Sequence, residues 1–430
     1  MLSRRFGLMG TENAFRLADD IRRCEERGLR VIRFNLGAPD FTSAAHLNEI
    51  AAASLLGGNA GYCDAGGIVE FREAIARHVE RTRGVPVDPD RVVVTPGAKP
   101  PIGYSFQTWV DPGDEVVYPS PGFPIYESWA TYSEARLVPL HLAEDRGFRL
   151  TSADLARAVG PRTKLIILCS PSNPTGGVLD QAELAELAAV IRGRCPPETR
   201  VYSDEVYEHI LFDGREHASI ASQPGMAGRT IIASGLSKGF AMPGWRLGWA
   251  VPPTVREAEA FRQLNINTVS CVPPFLQHGG IAAYEDPRTP PVVARMAAAF
   301  ERRRDWTVPA LNALEGVRCQ MPGGAFYVFP NVEGVCERLG AVELAAELKL
   351  RAGPSRLLQM FLLYRYGVAT MDRASFGSVG SAGQHFLRLS IANSMEDLRE
   401  GVDRMATAFD DADGLARFVR EEAWLREDAT

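Results

Sequence analysis

At 430 residues, with 46% hydrophobic and 23% charged positions, the chain has the balance of an ordinary globular protein, with length for two or three domains around a large core. A formal net charge of −6 argues against nucleic acid or an anionic membrane as the main partner, and no apolar run approaches the roughly 20 residues of a membrane helix. Residues 1–7 are basic but have no apolar stretch or small-residue cleavage site behind them, so a cytoplasmic protein is expected.

Helical spacing of Leu17, Ala18, Ile21 and Cys24 ends at Gly28, and residues 31–41 read as a short strand running into a turn, Gly37-Ala38-Pro39-Asp40. Tyr62 lies in a glycine-rich loop, 61–67, ahead of an amphipathic helix over 68–83. Apolar runs then alternate with helical patterns. Run 92–95 precedes a helix near 99–110, and run 115–119 precedes one over 123–132. Runs at 165–169, 200–203, 230–233 and 247–251 follow, with a helix over 181–192. This alternation predicts a largely parallel sheet covered by helices on both faces, with its site at the carboxyl ends of the strands. A long helix is expected over 292–314, where the charge run 301–305 reads as a solvated face. Residues 348–366 read as an extra apolar helix, and those after Asp410 as a charged amphipathic tail. The seven cysteines (Cys24, Cys63, Cys169, Cys195, Cys271, Cys319, Cys336) are dispersed, with no C-x-x-C and no histidine pair at ligand spacing, which fits reduced thiols and no metal centre.

The chemistry-bearing residues fall where strands end. Thr95-Pro96-Gly97-Ala98-Lys99 is a small-residue turn opening a helix, where free N–H groups and the helix dipole suit a phosphate; an ordinary turn has the same composition. Phe123 supplies an aromatic face just after a strand, and Asn173 lies in the turn Asn173-Pro174-Thr175-Gly176. Asp204 ends the next strand, with Tyr207 three residues on. In the stretch 234–248, Lys238 sits among small residues, Ser234 and Ser237 included, with Arg246 eight positions later. A desolvated lysine beside a cation loses its proton and becomes a nucleophilic amine. Arg388 stands inside an apolar strand pattern, which is costly without an anionic partner.

Taken together, these ordered motifs resemble those of the class I/II aminotransferases, the fold-type-I enzymes that use pyridoxal phosphate, and in particular the bacterial aspartate aminotransferases. The resemblance covers about residues 10–408. It implies an α/β fold in which a large domain (45–300) carries a seven-stranded, largely parallel sheet, with a smaller α+β domain made of 1–44 and 301–430. It implies that Lys238 holds the cofactor and moves a proton, that Asp204 pairs with the pyridine nitrogen, and that Asn173 and Tyr207 share the phenolic oxygen. By the same resemblance Phe123 stacks on the ring, while Gly97, Ala98, Lys99, Ser234, Ser237 and Arg246 surround the phosphate. Arg388 then takes the substrate α-carboxylate, Gly37 and Asn173 line the substrate, and Lys99 meets a distal carboxylate. Tyr62 reaches the phosphate of a second subunit, so a homodimer with shared sites is expected, and Cys63 and Cys271 fall in segments near the site. The implied reaction passes an amino group between an acidic L-amino acid and a 2-oxo acid. Residues 371–377 replace a Pro-Gly loop of the relatives. With the extra helix, they keep β/γ-elimination or replacement open. A regulator of the same fold is disfavoured, since barely 30 residues precede this region where a DNA-binding module would stand.

Overall fold

Seven strands form the central sheet of the computed structural model, which describes residues 2–10, 12–347, 353–422 and 425. Their order across the sheet is Val93–Thr95, Gly248–Val251, Thr230–Gly235, Arg200–Asp204, Thr163–Cys169, Glu115–Ser120 and Arg136–His141. Gly248–Val251 runs against both its neighbours; the other pairings are parallel. The inner strands are apolar along their length because both faces are covered. Leu165 and Ile167 enter a core with Tyr202, Phe106 and Phe261 on one face, and Ile166 and Leu168 enter another with Leu184, Leu187 and Ile191. Helices Pro100–Trp109, Pro124–Tyr132 and Gln181–Arg194 lie where the helical spacing predicts them. The last begins with a reciprocal cap between Asp180 and Glu183, which satisfies two N–H groups at once.

A further core draws on both chain ends. Leu17, Ile21 and Cys24 of helix Asn13–Glu26 pack with helices Pro354–Tyr366, Met395–Phe409 and Ala412–Glu421. Two small sheets frame this core: Met371–Asp372, Leu387–Ser390 and Tyr327–Val328 pair antiparallel, and Ile32–Arg33 pairs in parallel with Val368–Ala369. The apolar stretch expected over 348–366 is seen as the buried helix Pro354–Tyr366; positions 348–352 lie outside the described residues. The charged tail also contributes to the core, through Leu415, Phe418 and Val419; 423–424 and 426–430 lie outside the described residues.

Helix Thr289–Asn312 corrects one expectation. The run 301–305 is only in part a solvated face: Arg302 and Asp305 are exposed, but Arg304 is buried, its guanidinium forked onto Asp213 at 2.7 and 2.8 Å, and Arg303 forks onto Asp40 at 2.7 and 2.8 Å. Each arginine finds a carboxylate from a distant turn, which local periodicity cannot register. Among the described residues, no helix is long and apolar enough to cross a membrane.

Candidate active site

A cavity of about 500 Å³ opens at the carboxyl ends of the strands and collects most of the motif residues. Strand Thr230–Gly235 leads through a tight turn to Lys238, whose Nζ donates to the Gly37 carbonyl. Burial depresses its pKa to about 8, helped by the charges of Arg388, Lys99 and Arg246 and opposed by Glu12. Asp204 ends the neighbouring strand. The Tyr126 hydroxyl donates to its Oδ2 at 2.6 Å and the Val206 N–H to its Oδ1 at 3.4 Å. Burial nevertheless lifts this carboxyl to about 6, against those two hydrogen bonds. Such a carboxylate suits a ligand that brings a further N–H.

Tyr207 is buried, its hydroxyl 2.8 Å from that of Tyr327. Gly37 comes so close to this pair that a Cβ there would lie 2.3 Å from the Tyr327 hydroxyl. Strand Leu387–Ser390 carries Arg388 into the cavity. Its guanidinium lies 4.6 Å from the centre of the Tyr327 ring, donates to the Asn35 carbonyl, and approaches Asn173 Oδ1 at 3.4 Å. Its Nε is buried without a hydrogen-bond partner, and among the described residues no carboxylate forms an ion pair with it. A buried guanidinium in this condition is poised for a carboxylate fork.

On the other side, Gly97 turns the chain from strand Val93–Thr95 towards helix Pro100–Trp109 with φ of +88°. A Cβ there would meet Arg246 Nη2 at 2.4 Å, so glycine is what lets the guanidinium lie against the turn. Arg246 donates to the carbonyls of Pro96 (3.1 Å) and Pro243 (2.9 Å). Cation and helix start together offer a phosphate site. Ala98, Ser237 and Phe123 also line the cavity, as does Lys99, whose Nζ pairs with Glu12 and lies 5.6 Å from the Phe123 ring centre.

Two expected residues lie elsewhere. Ser234 is fully buried behind the site, donating to Glu208 at 2.8 Å, because the alternation of its strand turns it away from the cavity. Tyr62 is 91% exposed and lines a surface pocket with Cys63, Arg262 and Ile266. All seven cysteines are free, and Cys63 and Cys271 do not line the central cavity. Nor does any residue of 354–366 or 371–377. Arg373 instead ties that loop to Ser120 Oγ (3.1 Å), and Phe376 lies 5.0 Å beneath the Arg388 guanidinium. Three cavity residues are not marked out as site residues by any motif in the sequence: Glu12, Tyr126 and Tyr327. Only Tyr126 had a hint, one helical turn beyond Phe123.

The residues therefore fit a ligand with a phosphate, a protonated ring nitrogen and a carbonyl that condenses with an amine. The comparisons with known proteins agree. The sequence model of the family Aminotransferase class I and II matches residues 30–405. The arginine–pyruvate transaminase AruH of Pseudomonas aeruginosa is 35% identical over 381 residues, covering 89% of this chain and 90% of its own. The aspartate aminotransferase of Musicola paradisiaca is 30% identical over 406 residues, covering 94% and 96%. The crystal structure of the aspartate aminotransferase from Rhizobium meliloti superposes with a TM-score of 0.85 at 29% identity, covering 95% of this chain and 99% of that one. The chain belongs to the class I and II aminotransferases. It is a pyridoxal-phosphate-dependent enzyme that transfers amino groups between amino acids and 2-oxo acids.

Proposed function

We propose that one of the two substrates is an acidic L-amino acid of the aspartate or glutamate type. The observation that supports this reading is that Arg388 and Lys99 line one cavity, in addition to the Arg246 cation at the helix start. Arg388 forks onto the α-carboxylate, and Lys99, released from Glu12, meets the distal one. The bound cofactor supplies an electron-withdrawing ring that makes the substrate Cα–H acidic. Lys238 anchors the cofactor through its amine and serves as the base at Cα. Asp204, held by Tyr126, keeps the proton on the ring nitrogen, while Asn173 and Tyr207 donate to the phenolic oxygen and Phe123 covers the ring. Arg246, Ser237 and the Gly97–Ala98 turn take the phosphate. Relatives named for aspartate and for arginine support the chemistry without selecting the side chain.

Three cores drawn from residues 44–293 support a large unit over 45–300; the fourth, mostly from 1–44 and 301–430 but joined by Phe148, Tyr207, Ile210, Phe212 and Phe300, supports a small unit packed against it. The exposed Tyr62, away from the cavity of its own chain, supports a homodimer in which it serves the partner's phosphate. Elimination or replacement finds no support in the cavity, since neither the helix nor the loop that suggested it lines the cavity, the loop lying behind Arg388. Mixing the cofactor-loaded enzyme with single amino acids tests the reading. Stoichiometric formation of pyridoxamine phosphate with aspartate or glutamate is expected, and continuous release of a side-chain leaving group would overturn it.

A further inference from the structure

Glu12 is the one residue of the cavity whose charge the transfer reaction leaves unexplained. Of the described residues lining the cavity, only Asp204 and Glu12 are carboxylates, and Asp204 is held at the floor by Tyr126. Glu12 occupies the N-cap position of helix Asn13–Glu26, where a carboxylate ordinarily accepts from the first N–H groups of its own helix. It makes no such bond; its carboxylate is turned inward onto Lys99. The segment is held on both sides of it. The Ser128 hydroxyl donates to the Gly10 carbonyl at 3.1 Å, and Asn13 Nδ2 donates to Ser375 Oγ at 3.0 Å. The carboxylate is therefore held at the cavity wall rather than swinging on a free chain end. Its field reaches Lys238 and Arg388, which the reading above assigns to the reacting carbon and the α-carboxylate, and Tyr327 beside them.

An ion pair at the side-chain end of a site that must accept two different amino acids in turn has a specific use. With the α-carboxylate on Arg388, a substrate carrying a distal carboxylate can take Lys99, and one carrying a distal cation can take Glu12. Each takes the place of the like-charged member of the existing pair, and the displaced side chain, Glu12 or Lys99, is exposed enough to turn to water. We propose that Glu12 receives the cationic head, guanidinium or ammonium, of a basic L-amino acid that serves as the second substrate. This assignment rests on the aminotransferase reading of the cavity. The chemistry is unchanged: the donor's α-amino group and α-hydrogen are exchanged for the carbonyl oxygen of the acceptor, and no outside oxidant or reductant enters.

The test uses the cofactor-loaded enzyme and three carboxylic acids that lack the α-amino group and so cannot react: 5-guanidinovalerate, adipate and hexanoate. Their dissociation constants are measured by calorimetry for the wild type, Glu12→Gln and Lys99→Gln. Single-turnover pyridoxamine phosphate formation is followed with arginine, ornithine, glutamate and norleucine. Guanidinovalerate is expected to bind the wild type about tenfold or more tighter than hexanoate, as a charge-assisted hydrogen bond supplies. Glu12→Gln is expected to abolish that advantage and move the guanidinovalerate-to-adipate ratio by about tenfold or more, with Lys99→Gln moving it the opposite way. An unchanged ratio in Glu12→Gln, or arginine no faster than norleucine, overturns the assignment. Failure of every amino acid to convert the cofactor would instead overturn the transfer reading, a result separate from the binding ratios.

Discussion

Burial shifts Lys238 and Asp204 in opposite directions by one cause: a low-dielectric cavity disfavours the charged form of each. For Lys238 the consequence is kinetic. Its free-amine fraction grows as pH rises through about 8, so capture of added pyridoxal phosphate by the cofactor-free protein should accelerate over that range. Stopped-flow absorbance would show it, and a midpoint still near the ordinary lysine value would refute the role of burial. For Asp204 the consequence is thermodynamic. Its folded-state pKa of about 6 lies above the ordinary value of 3.8, so the folded state loses stability as pH rises from 3.8 through about 6. The deficit above that range is about 3 kcal/mol, at roughly 1.4 kcal/mol per unit. Asp204→Asn should therefore raise the melting temperature of the cofactor-free protein at pH 8 while lowering kcat of the loaded enzyme by about 10²-fold or more. A variant that melts lower in the cofactor-free state would contradict the burial argument.

Behind the strand end bearing Asp204, the same segment builds a buried charge network. Arg83 lies 2.9 Å from Glu205 and 2.6 Å from Glu208, with His217 on the first carboxylate and His78 on the second, both at 2.9 Å. His78, His209 and Glu208 bring ligand-type atoms within 4.8 Å of one another, a convergence their sequence spacing does not suggest; Arg83 already supplies the cation there. Although burial pushes Glu205 up, Arg83 and His217 outweigh it and hold the carboxyl at about 2. Stability from this group is complete above the ordinary value of 4.5 and is lost as pH falls from there through about 2. Arg83→Met leaves two buried carboxylates without their cation and should cost about 3–5 kcal/mol in urea unfolding. A loss within about 0.5 kcal/mol would mean the network relaxes freely. At the phosphate turn, Gly97→Ala should weaken pyridoxal phosphate affinity by about tenfold, read by equilibrium dialysis, since its Cβ displaces Arg246. These elements differ in how far the sequence announces them. The inner strands are legible because continuous valine and isoleucine runs suit burial on both faces. Edge strand Arg136–His141 is not: it carries Pro139 and exposed ends, tolerable because only Glu115–Ser120 pairs with it. Lys238, Asp204 and Arg388 are legible from their positions at strand ends or within a strand. Glu12 and Tyr327 are not, because only the folding of distant segments brings them to the cavity.

For the whole molecule, the proposed homodimer predicts a sedimenting species of twice the 47.0 kDa chain mass, and a Tyr62→Phe variant with weakened cofactor affinity but unchanged mass. A single-chain species at micromolar concentration would remove Tyr62 from the site. The core that joins helix Asn13–Glu26 to helices Pro354–Tyr366, Met395–Phe409 and Ala412–Glu421 has a further consequence. During synthesis the first helix emerges hundreds of residues before the surfaces that bury Leu17, Ile21 and Cys24. Its 14 residues are at the margin for a helix alone in water, whereas the central sheet draws its cores from residues 44–293. The nascent chain thus completes its central sheet while helix Asn13–Glu26 still lacks the surfaces that bury it. The core beside Glu12 and Arg388 is complete only once helices Met395–Phe409 and Ala412–Glu421 have been made.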